Sequence, residues 1–258
     1  MATEISLEKK LLNTIRLLKK DFGLAGLKAE FEAEGSSSED IHRLKRLAIK
    51  ANTKLFVKIG GVEALRDLYD CYDIGVDGII APMVETKFAA KKYLEMLNKI
   101  YSKNKPHISI NIESVTGVKN IDEILKTLNG FLNNITIGRK DLSSSFFNNK
   151  IKPNSNEIKK IIKYICKKNN RYNVTTTVGG GISQKTIDIY KKDTFMKKKI
   201  LRYETRKVII DKKFFFIKKD IIKKCLEFEK IYILLKKELF DLKMNSEILR
   251  LSELKNRV

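Results

Sequence analysis

The 258-residue sequence has few cysteines and no long apolar run. Cys71, Cys166 and Cys225 are far apart and form neither a CxxC pair nor a zinc-ligand spacing, so we expect reduced thiols in an intracellular, cytoplasmic protein. No apolar stretch is long enough to cross a membrane, and the charged segment 1–10 lacks the pattern of an export signal. We therefore expect neither a disulfide scaffold nor a membrane protein.

Acidic residues are also scarce relative to basic ones, and the net charge is +22. A charge of this size is typical of proteins that bind nucleic acid or anionic membranes. The lysines, however, are spread over nearly every predicted helix, and asparagine and isoleucine are abundant too, as in the products of AT-rich genomes. We therefore interpret the lysines as solvated helix faces that attract small anions, and we regard a dedicated polyanion site as the less favoured alternative.

The chain length and the order of its segments predict a (β/α)8 TIM-type barrel, which needs about 250 residues. Apolar residues make up 43% of the chain, enough for a large core. Strand-like segments alternate with amphipathic helices, which indicates a parallel α/β architecture. Seven such segments are present: 23–35, 54–60, 76–85, 108–113, 135–145, 172–181 and 201–211. The eighth strand has no secure place, and the N-terminus and segment 214–217 are the candidates.

The C-terminal part has a different pattern, so we predict a barrel over 1–212 and a helical extension over 213–258. Apolar residues recur there at alternating steps of four and three, which is a heptad seam on a long helix. The seam consists of Ile221, Cys225, Phe228, Tyr232, Leu235, Leu239 and Leu242. Such a helix packs back on the barrel, or it reaches a neighbouring subunit and makes a homo-oligomer.

Two neighbouring predicted strands, 108–113 and 135–145, each lead to a carboxylate. In a parallel barrel the carboxyl ends of the strands meet at one face, so Glu113 and Asp141 are expected side by side. Paired carboxylate oxygens suit Mg²⁺ or Mn²⁺, with water and substrate completing the coordination. The alternative is that each carboxylate caps the helix that follows it.

Other charged residues are expected at the same face. Segment 23–35 alternates with period two, so a strand there would direct Glu30, Glu32 and Glu34 toward the lumen, whereas a helix would leave them as surface charge. Lys58 lies near the end of the second predicted strand, where it could bind a carboxylate or a developing enolate, or simply be solvated.

Two loop segments are candidate anion-binding sites. Ser143 begins a run of three serines after Asp141, and Gly180 lies within three consecutive glycines after the sixth predicted strand. Serine hydroxyls and a glycine-rich turn can bind a carboxylate or phosphate, although both are also common in ordinary loops and helix caps.

Several short motifs occur in an order that resembles the HpcH/HpaI aldolase/citrate lyase family. The motifs are KAEFEAEG, VKIGGVEA, GVDGIIAPMVE, INIESVTGV, IGRKDLSSS, VGGGIS and YETRKVI, between about residue 26 and residue 211. The resemblance implies a (β/α)8 barrel with Mg²⁺ or a similar ion held by Glu113 and Asp141. It implies cleavage or formation of a carbon–carbon bond next to a keto acid or thioester, and oligomers in which a C-terminal helix packs on another subunit.

The sequence departs from the family pattern at three places. Lys58 stands where the family's aldolases have an arginine at the end of the second strand, and it lacks the bidentate fork. Glu32 or Glu34 stands where those aldolases have an acid/base histidine, and neither histidine of this chain fits that place. Arg139 lies two residues before Asp141, where it supplies the missing guanidinium or pairs with a nearby glutamate.

The predicted function is therefore a metal-dependent carbon–carbon lyase acting on a small anionic 2-keto acid or thioester. Lys58 or Arg139 would stabilise the enolate with the metal, and Ser143 and Gly180 would help to bind the substrate. Glu34, with its pKa raised by Glu30 and Glu32, would move the proton. The alternatives are a catalytically inactive barrel that serves as a binding or assembly subunit, and a basic protein associated with anions or nucleic acid.

Overall fold

Eight β-strands close into a barrel in the order in which they occur along the chain. The structure, a computed structural model, describes residues 6–102 and 104–257. Each pair of neighbouring strands from β1 to β7 is parallel. Strand β8 closes the barrel and is antiparallel to both β7 and β1. The strands are β1 Leu24–Glu30, β2 Leu55–Lys58, β3 Gly78–Ala81, β4 His107–Ile112, β5 Asn134–Gly138, β6 Thr175–Gly179, β7 Arg202–Glu204 and β8 Val208–Asp211. The predicted TIM-type barrel is confirmed.

The eighth strand comes from the segment that was predicted as one strand, 201–211. The chain reverses over residues 205–207, and the amide of Thr205 donates to the carbonyl of Val208 at 2.9 Å. The charged residues Arg206 and Lys207 lie in this turn, which explains their presence in a segment that is otherwise typical of a buried strand. Segment 214–217 therefore supplies no strand, and neither do residues 6–23, the part of the N-terminus before β1 that the structure describes.

Amphipathic helices cover the outside of the barrel. Helix α2 is representative, because Ser37 and Asp40 form a capping box at its start and its buried residues lie on one face. The helices are α1 Leu7–Phe22, α2 Ser38–Lys50, α3 Leu65–Ile74, α4 Lys87–Ile100, α5 Val115–Lys119, α6 Ile121–Thr127, α7 Arg139–Ser144, α8 Asn156–Asn170, α9 Gln184–Lys191, α10 Thr194–Lys199, α11 Lys212–Phe215 and α12 Ile221–Lys255.

The apolar residues form two separate groups. The main core lies between the strands and the surrounding helices, and it includes alternate residues of β1 such as Leu27 and Ala29. A second, small cluster inside the lumen contains Phe56, Ile80 and Ile209. Because side chains alternate along a strand, the residues of β1 between the core positions face the lumen. Polar groups can therefore occupy the lumen toward the carboxyl ends of the strands.

The heptad seam of α12 is buried along the first part of the helix and becomes exposed toward its C-terminal part. The seam residues from Ile221 to Leu235 are buried, and the helix packs alongside α1. Leu239 is partly buried, and Leu242 is 60% exposed. The first half of the helix thus packs back on the barrel, while the division into a barrel over 1–212 and an extension over 213–258 stays a prediction.

All three cysteines are unpaired and buried, and none of the described helices combines the length and apolarity of a membrane span.

Candidate active site

Four charged side chains form an ion network in the barrel lumen. Lys28 Nζ lies 2.8 Å from Glu204 Oε1 and 3.2 Å from Glu30 Oε1, and Lys58 Nζ lies 3.4 Å from Glu30 Oε2. Lys28, Glu30 and Glu204 are buried, while the side chain of Lys58 keeps 17% of its surface exposed. We call these four residues the lumen ion network.

Lys28 and Glu30 are held in their charged forms by their partners in the lumen ion network. Burial by itself would lower the pKa of Lys28, but Glu204 and Glu30 outweigh burial and raise it. Burial would raise the pKa of Glu30, but the charges of Lys28 and Lys58 lower it. Two cations therefore face two anions, and Lys58 is the most exposed member of the network.

Glu113 follows β4 directly and is buried at the carboxyl end of the barrel. Its Oε1 accepts a hydrogen bond from the Met83 amide at 3.1 Å, and its Oε2 accepts one from Asn111 Nδ2 at 3.2 Å. The carboxylate packs against Gly138, the last residue of β5, where an added Cβ would lie 2.6 Å from Glu113 Oε2. The absence of a side chain at Gly138 therefore leaves the space that Glu113 occupies.

Asp141 lies one turn into α7 instead of at the end of β5, because the strand ends at Gly138. It is exposed, whereas Glu113 is buried. Burial raises the pKa of Glu113, and the negative charge of Asp141 adds to this rise, against the opposing effects of Lys58 and the Met83 amide. The two predicted carboxylates therefore interact electrostatically.

The donor set at Glu113 and Asp141 fits a divalent ion of the magnesium type. Among the described residues, no three His, Cys, Asp or Glu side chains gather as a metal-binding group. Magnesium, however, is commonly held by one or two carboxylates while water and substrate supply the other ligands. Next to Glu113, the side-chain oxygen of Asn111 is buried without a hydrogen-bond partner, so a polar ligand there would satisfy an otherwise unused acceptor.

Asn111 was missed by the sequence analysis, although a signal for it exists. It precedes Glu113 by two positions on one strand, so period-two alternation places both on the lumen side. Glu204 was missed as well; it lies on β7, and the structure makes it the partner of Lys28.

The prediction that Glu34 faces the lumen with Glu30 and Glu32 is wrong. Strand β1 ends at Glu30, and the following residues form a turn, so the period-two alternation stops there. Glu34 forms an ion pair with Lys207, and Glu32 is exposed. Of the three glutamates, β1 carries only Glu30 into the lumen.

Arg139 also lies elsewhere than predicted, because it is fully buried. Its Nε donates to the carbonyl of Gly179 at 3.0 Å and its Nη2 to that of Gly180 at 2.9 Å. Its Nη1 donates to Asn154 Oδ1 at 2.6 Å and to the Tyr190 hydroxyl at 3.3 Å. The guanidinium thus joins the end of β6 to the loop before α8, and it is fully buried with no glutamate partner among residues 6–102 and 104–257.

Ser143 and Gly180 serve the packing of α7. The hydroxyl of Ser143 donates to the carbonyl of Lys140 at 2.8 Å within the same helix. Gly180 has φ +73°, and an added Cβ would lie 2.6 Å from the amide nitrogen of Lys140. The glycine is required because backbone approaches backbone there, so the predicted close approach to a ligand is instead an approach to α7.

Neither histidine lies at the carboxyl end of the barrel near Glu113. His107 begins β4, at the opposite end of the strand from Glu113, and its ring packs edge-on against Phe56. Burial, together with the charges of Arg202 and Lys54, lowers its pKa to about 4. His42 lies on the outer helix α2. The expectation that no histidine acts as the acid/base at this site agrees with both positions.

A closed α/β barrel with two interacting carboxylates at its carboxyl end defines a class of enzymes that place their chemistry at that face. Residues 38–182, more than half of the chain, match the HpcH/HpaI aldolase/citrate lyase family, and the chain belongs to this family. Membership supports a lyase-like enzyme, and members commonly use a divalent metal. No curated protein sequence matches the chain.

Solved structures with the same fold cover most of the chain. Citrate synthase SbnG is 18% identical, with a TM-score of 0.59 over 92% of this chain and 90% of that one. An HpcH/HpaI family protein from Burkholderia cenocepacia J2315 is 12% identical, with a TM-score of 0.61 over 91% and 90%. An HpcH/HpaI aldolase from Desulfitobacterium hafniense DCB-2 is 16% identical, with a TM-score of 0.59 over 75% and 82%. At these identities the likeness establishes the fold.

Proposed function

We propose that the protein is a divalent-metal-dependent carbon–carbon lyase that acts on a 2-oxo acid or a related carboxylate such as a thioester. The observation that supports this most is the buried carboxylate of Glu113, oriented by Met83 and Asn111 and coupled in charge to Asp141. Family membership supports the reaction class. The metal, Mg²⁺ or Mn²⁺, and the substrate are part of the proposal.

Glu113 and Asp141 would hold the ion, and Lys58 would contribute a second positive charge. The ion, when bound, supplies positive charge to a substrate carbonyl oxygen as negative charge develops there. Lys58 is suited to assist because it is the partly exposed member of the lumen ion network and because its charge already acts on Glu113. Glu30 fixes the position of its ammonium group.

Glu30 replaces Glu34 as the proposed proton acceptor. Strand β1 holds Glu30 in the lumen beside Lys58, and the two lysines of the lumen ion network keep it ionised. An ionised carboxylate at this position can accept a proton from a substrate hydroxyl, which is the step that breaks an aldol bond.

The test is a lyase assay on 2-oxo acid aldol adducts with and without EDTA. Activity should disappear on chelation, return with Mg²⁺ or Mn²⁺, and fall by about 100-fold or more in Glu113→Gln and Asp141→Asn. Glu95→Gln on α4 and Asp188→Asn on α9 are matched controls, since both residues are exposed on outer helices. Activity that survives chelation, or survives in the double variant, would refute the proposal.

We also propose that the outer face of α12 packs on another copy of the chain. Large apolar residues line the outer face of this helix at helical spacing and are exposed: Leu226, Ile233, Phe240, Met244, Ile248 and Leu251. We call this set the outer stripe. A helix with a buried inner seam and an apolar outer face is suited to two contacts, one with its own barrel and one with a partner.

A further inference from the structure

The amino end of the barrel brings together the lysine-rich ends of several helices. Each helix of a β/α barrel runs back from the carboxyl end of one strand to the start of the next, so the helices end together at the amino end. Helices α1, α2, α8 and α10 all have lysines in their last turns. Because β8 is antiparallel, the segment that follows it lies at this end too. Lysines that are spread along the sequence therefore meet in space.

Hydrogen bonds and packing join these segments into one continuous surface. Lys19 Nζ donates to the carbonyl of Ala51 at 3.4 Å, which joins the ends of α1 and α2. The amide of Asp211 donates to the carbonyl of Gly23 at 3.0 Å, and Lys212 Nζ donates to a backbone carbonyl of α10 at 2.8 Å. Helix α8 packs beside α10. We call the surface formed by these segments the basic face, and its residues are 19–21, 49–54, 167–171, 197–199 and 211–220.

The basic face carries half of the net charge of the chain. It contains 14 lysine and arginine residues and three aspartates, so its charge is +11 out of +22. Twelve of the 14 cations are exposed. Within residues 6–102 and 104–257, Lys168 forms the one ion pair of these cations, with Asp122 at 2.6 Å. The described carboxylates therefore leave most of this charge to solvent or to a partner.

Helix capping accounts for only part of the basic face. A lysine in the last turn of a helix stabilises it through the helix dipole, which explains the lysines of α1, α2, α8 and α10. Lys218 and Lys219 instead come directly before Asp220, the N-cap residue of α12, and the first turn of that helix has no acidic residue. A cation at a helix N-terminus is unfavourable. Helix stability therefore does not explain why these two lysines are present.

Two aliphatic side chains project from the basic face. Ile217 is 74% exposed, and Ile49, next to Lys50, is 64% exposed. The aromatic rings of the same surface point inward, since Phe215 is buried and stacks on Tyr203 with 3.9 Å between the ring centres. Bases of single-stranded nucleic acid stack on exposed aromatic rings, whereas aliphatic side chains enter the headgroup region of a bilayer. Exposed aliphatic groups among lysines therefore favour a lipid surface over nucleic acid.

We infer that the basic face binds the surface of an anionic lipid bilayer, with Ile49 and Ile217 entering the headgroup region. Its segments adjoin five neighbouring strands of the barrel, β6, β7, β8, β1 and β2, so the charge covers a broad area as a planar partner requires. The attraction of each lysine to anionic lipid falls off within a Debye length, so cations on one face act together. Glu113 lies at the opposite end of the barrel, directly after β4, and the bound protein keeps that end toward water.

The test is flotation of the full chain with lipid vesicles at physiological salt. Vesicles of phosphatidylcholine with about one third phosphatidylserine should bind the protein at least about tenfold more tightly than vesicles of phosphatidylcholine alone. The double variant Lys197→Glu, Lys218→Glu should lose about tenfold or more of this affinity. The matched control is Lys160→Glu, Lys185→Glu, which makes the same change in net charge with exposed lysines near the starts of α8 and α9. The control should keep the affinity within about threefold.

A second pair of variants tests the aliphatic part of the basic face. Ile217→Ser should weaken binding to the anionic vesicles by about threefold or more, whereas Phe88→Ser, at an exposed residue near the start of α4, should not. The inference is overturned if neutral and anionic vesicles bind equally, if both lysine double variants lose affinity alike, or if Ile217→Ser binds like the wild-type protein. Displacement of the protein from the vesicles by single-stranded RNA at equal phosphate concentration would also overturn it, because the face would then belong to nucleic acid.

Discussion

Glu113 and Gly138 fit each other across neighbouring strands: an added Cβ at Gly138 would lie 2.6 Å from Glu113 Oε2 and 2.9 Å from its Cβ. Such distances are far inside van der Waals contact, so any side chain at Gly138 would displace the carboxylate. The position of Glu113, the proposed metal ligand directly after β4, therefore depends on the residue that ends β5.

Gly138→Ala should weaken metal binding without unfolding the barrel. The added methyl group moves Glu113 away from the Met83 amide, so we expect the Mn²⁺ affinity to fall by about tenfold or more. Gly61→Ala is the matched control, because no atom lies within 4 Å of a Cβ at that position. Equal Mn²⁺ affinity in the two variants would show that the contact with Gly138 does not position Glu113.

Metal binding should weaken as the pH falls, and Glu113 should set the pH at which this begins. Its pKa is raised by burial and by Asp141, so protons compete with the metal at a pH above the ordinary carboxyl range. Below that pKa the Mn²⁺ affinity should fall by up to about tenfold per pH unit, because one proton is displaced on binding. A titration of affinity against pH checks this, and a flat profile down to pH 4 would contradict it.

Glu113→Gln should make the metal-free protein more stable at neutral pH. A raised carboxyl pKa means that folding disfavours the ionised form of Glu113. The free energy of unfolding therefore decreases as the pH rises from the pKa of this carboxyl in the unfolded chain to its pKa in the folded protein. The amide removes this penalty, and the free oxygen of Asn111 can accept its N–H. Urea unfolding at pH 7 and pH 4 is the measurement. The gain should vanish at pH 4, and a loss of stability at pH 7 would contradict the expectation.

Lys28→Met should destabilise the protein by about 3–5 kcal/mol, because Glu30 and Glu204 would lose their shared cation in a buried site. Adding Glu204→Gln should recover part of this loss, since the unpaired charge at Glu204 is then gone. Lys91→Met is a surface control, as Lys91 forms only a 3.7 Å pair with Glu95 on α4. The readout is urea unfolding, and an equal effect of Lys28→Met and Lys91→Met would exclude a stabilising role for the lumen ion network.

Charges on the outer stripe should dissociate the proposed oligomer. Phe240→Glu combined with Ile248→Glu introduces two carboxylates into an exposed apolar face, so the mass measured by light scattering should fall by about half or more. Asn245→Glu on the same helix is the control and should leave the mass unchanged, because Asn245 is exposed and, one position after Met244, is rotated about 100° away from the outer stripe. A wild-type protein that is already monomeric at all concentrations would refute the oligomer.

The sequence predicted the barrel well because alternation and helical spacing are local signals. The predictions that were wrong concern the ends of strands. Apolar/polar alternation continues through 31–34, yet β1 stops at Glu30, and this change moves Glu34 from the lumen to Lys207. The apolar composition of 201–211 predicted one strand, whereas the chain reverses at Arg206 and forms two. The charged residues in the middle of the segment were the sequence signal for this turn.

The second difference between prediction and structure concerns the direction in which a side chain points. Arg139 is close to Asp141 in sequence, but its guanidinium joins two distant loops and is fully buried. Hydrogen-bond partners such as the carbonyls of Gly179 and Gly180 come from strand β6, about 40 positions further along the chain. No local pattern around Arg139 contains that information.

The sequence alone determined the alternating architecture and the family, because periodicity and short motifs are properties of neighbouring residues. The tertiary structure decided which charges share the lumen and where the eighth strand lies. Those outcomes depend on the antiparallel closure of the barrel, which brings Glu204 to Lys28 and Lys207 to Glu34 from opposite ends of the chain. Pairing between such distant residues is set by packing and by the need to neutralise buried charge, and neither is encoded in local spacing.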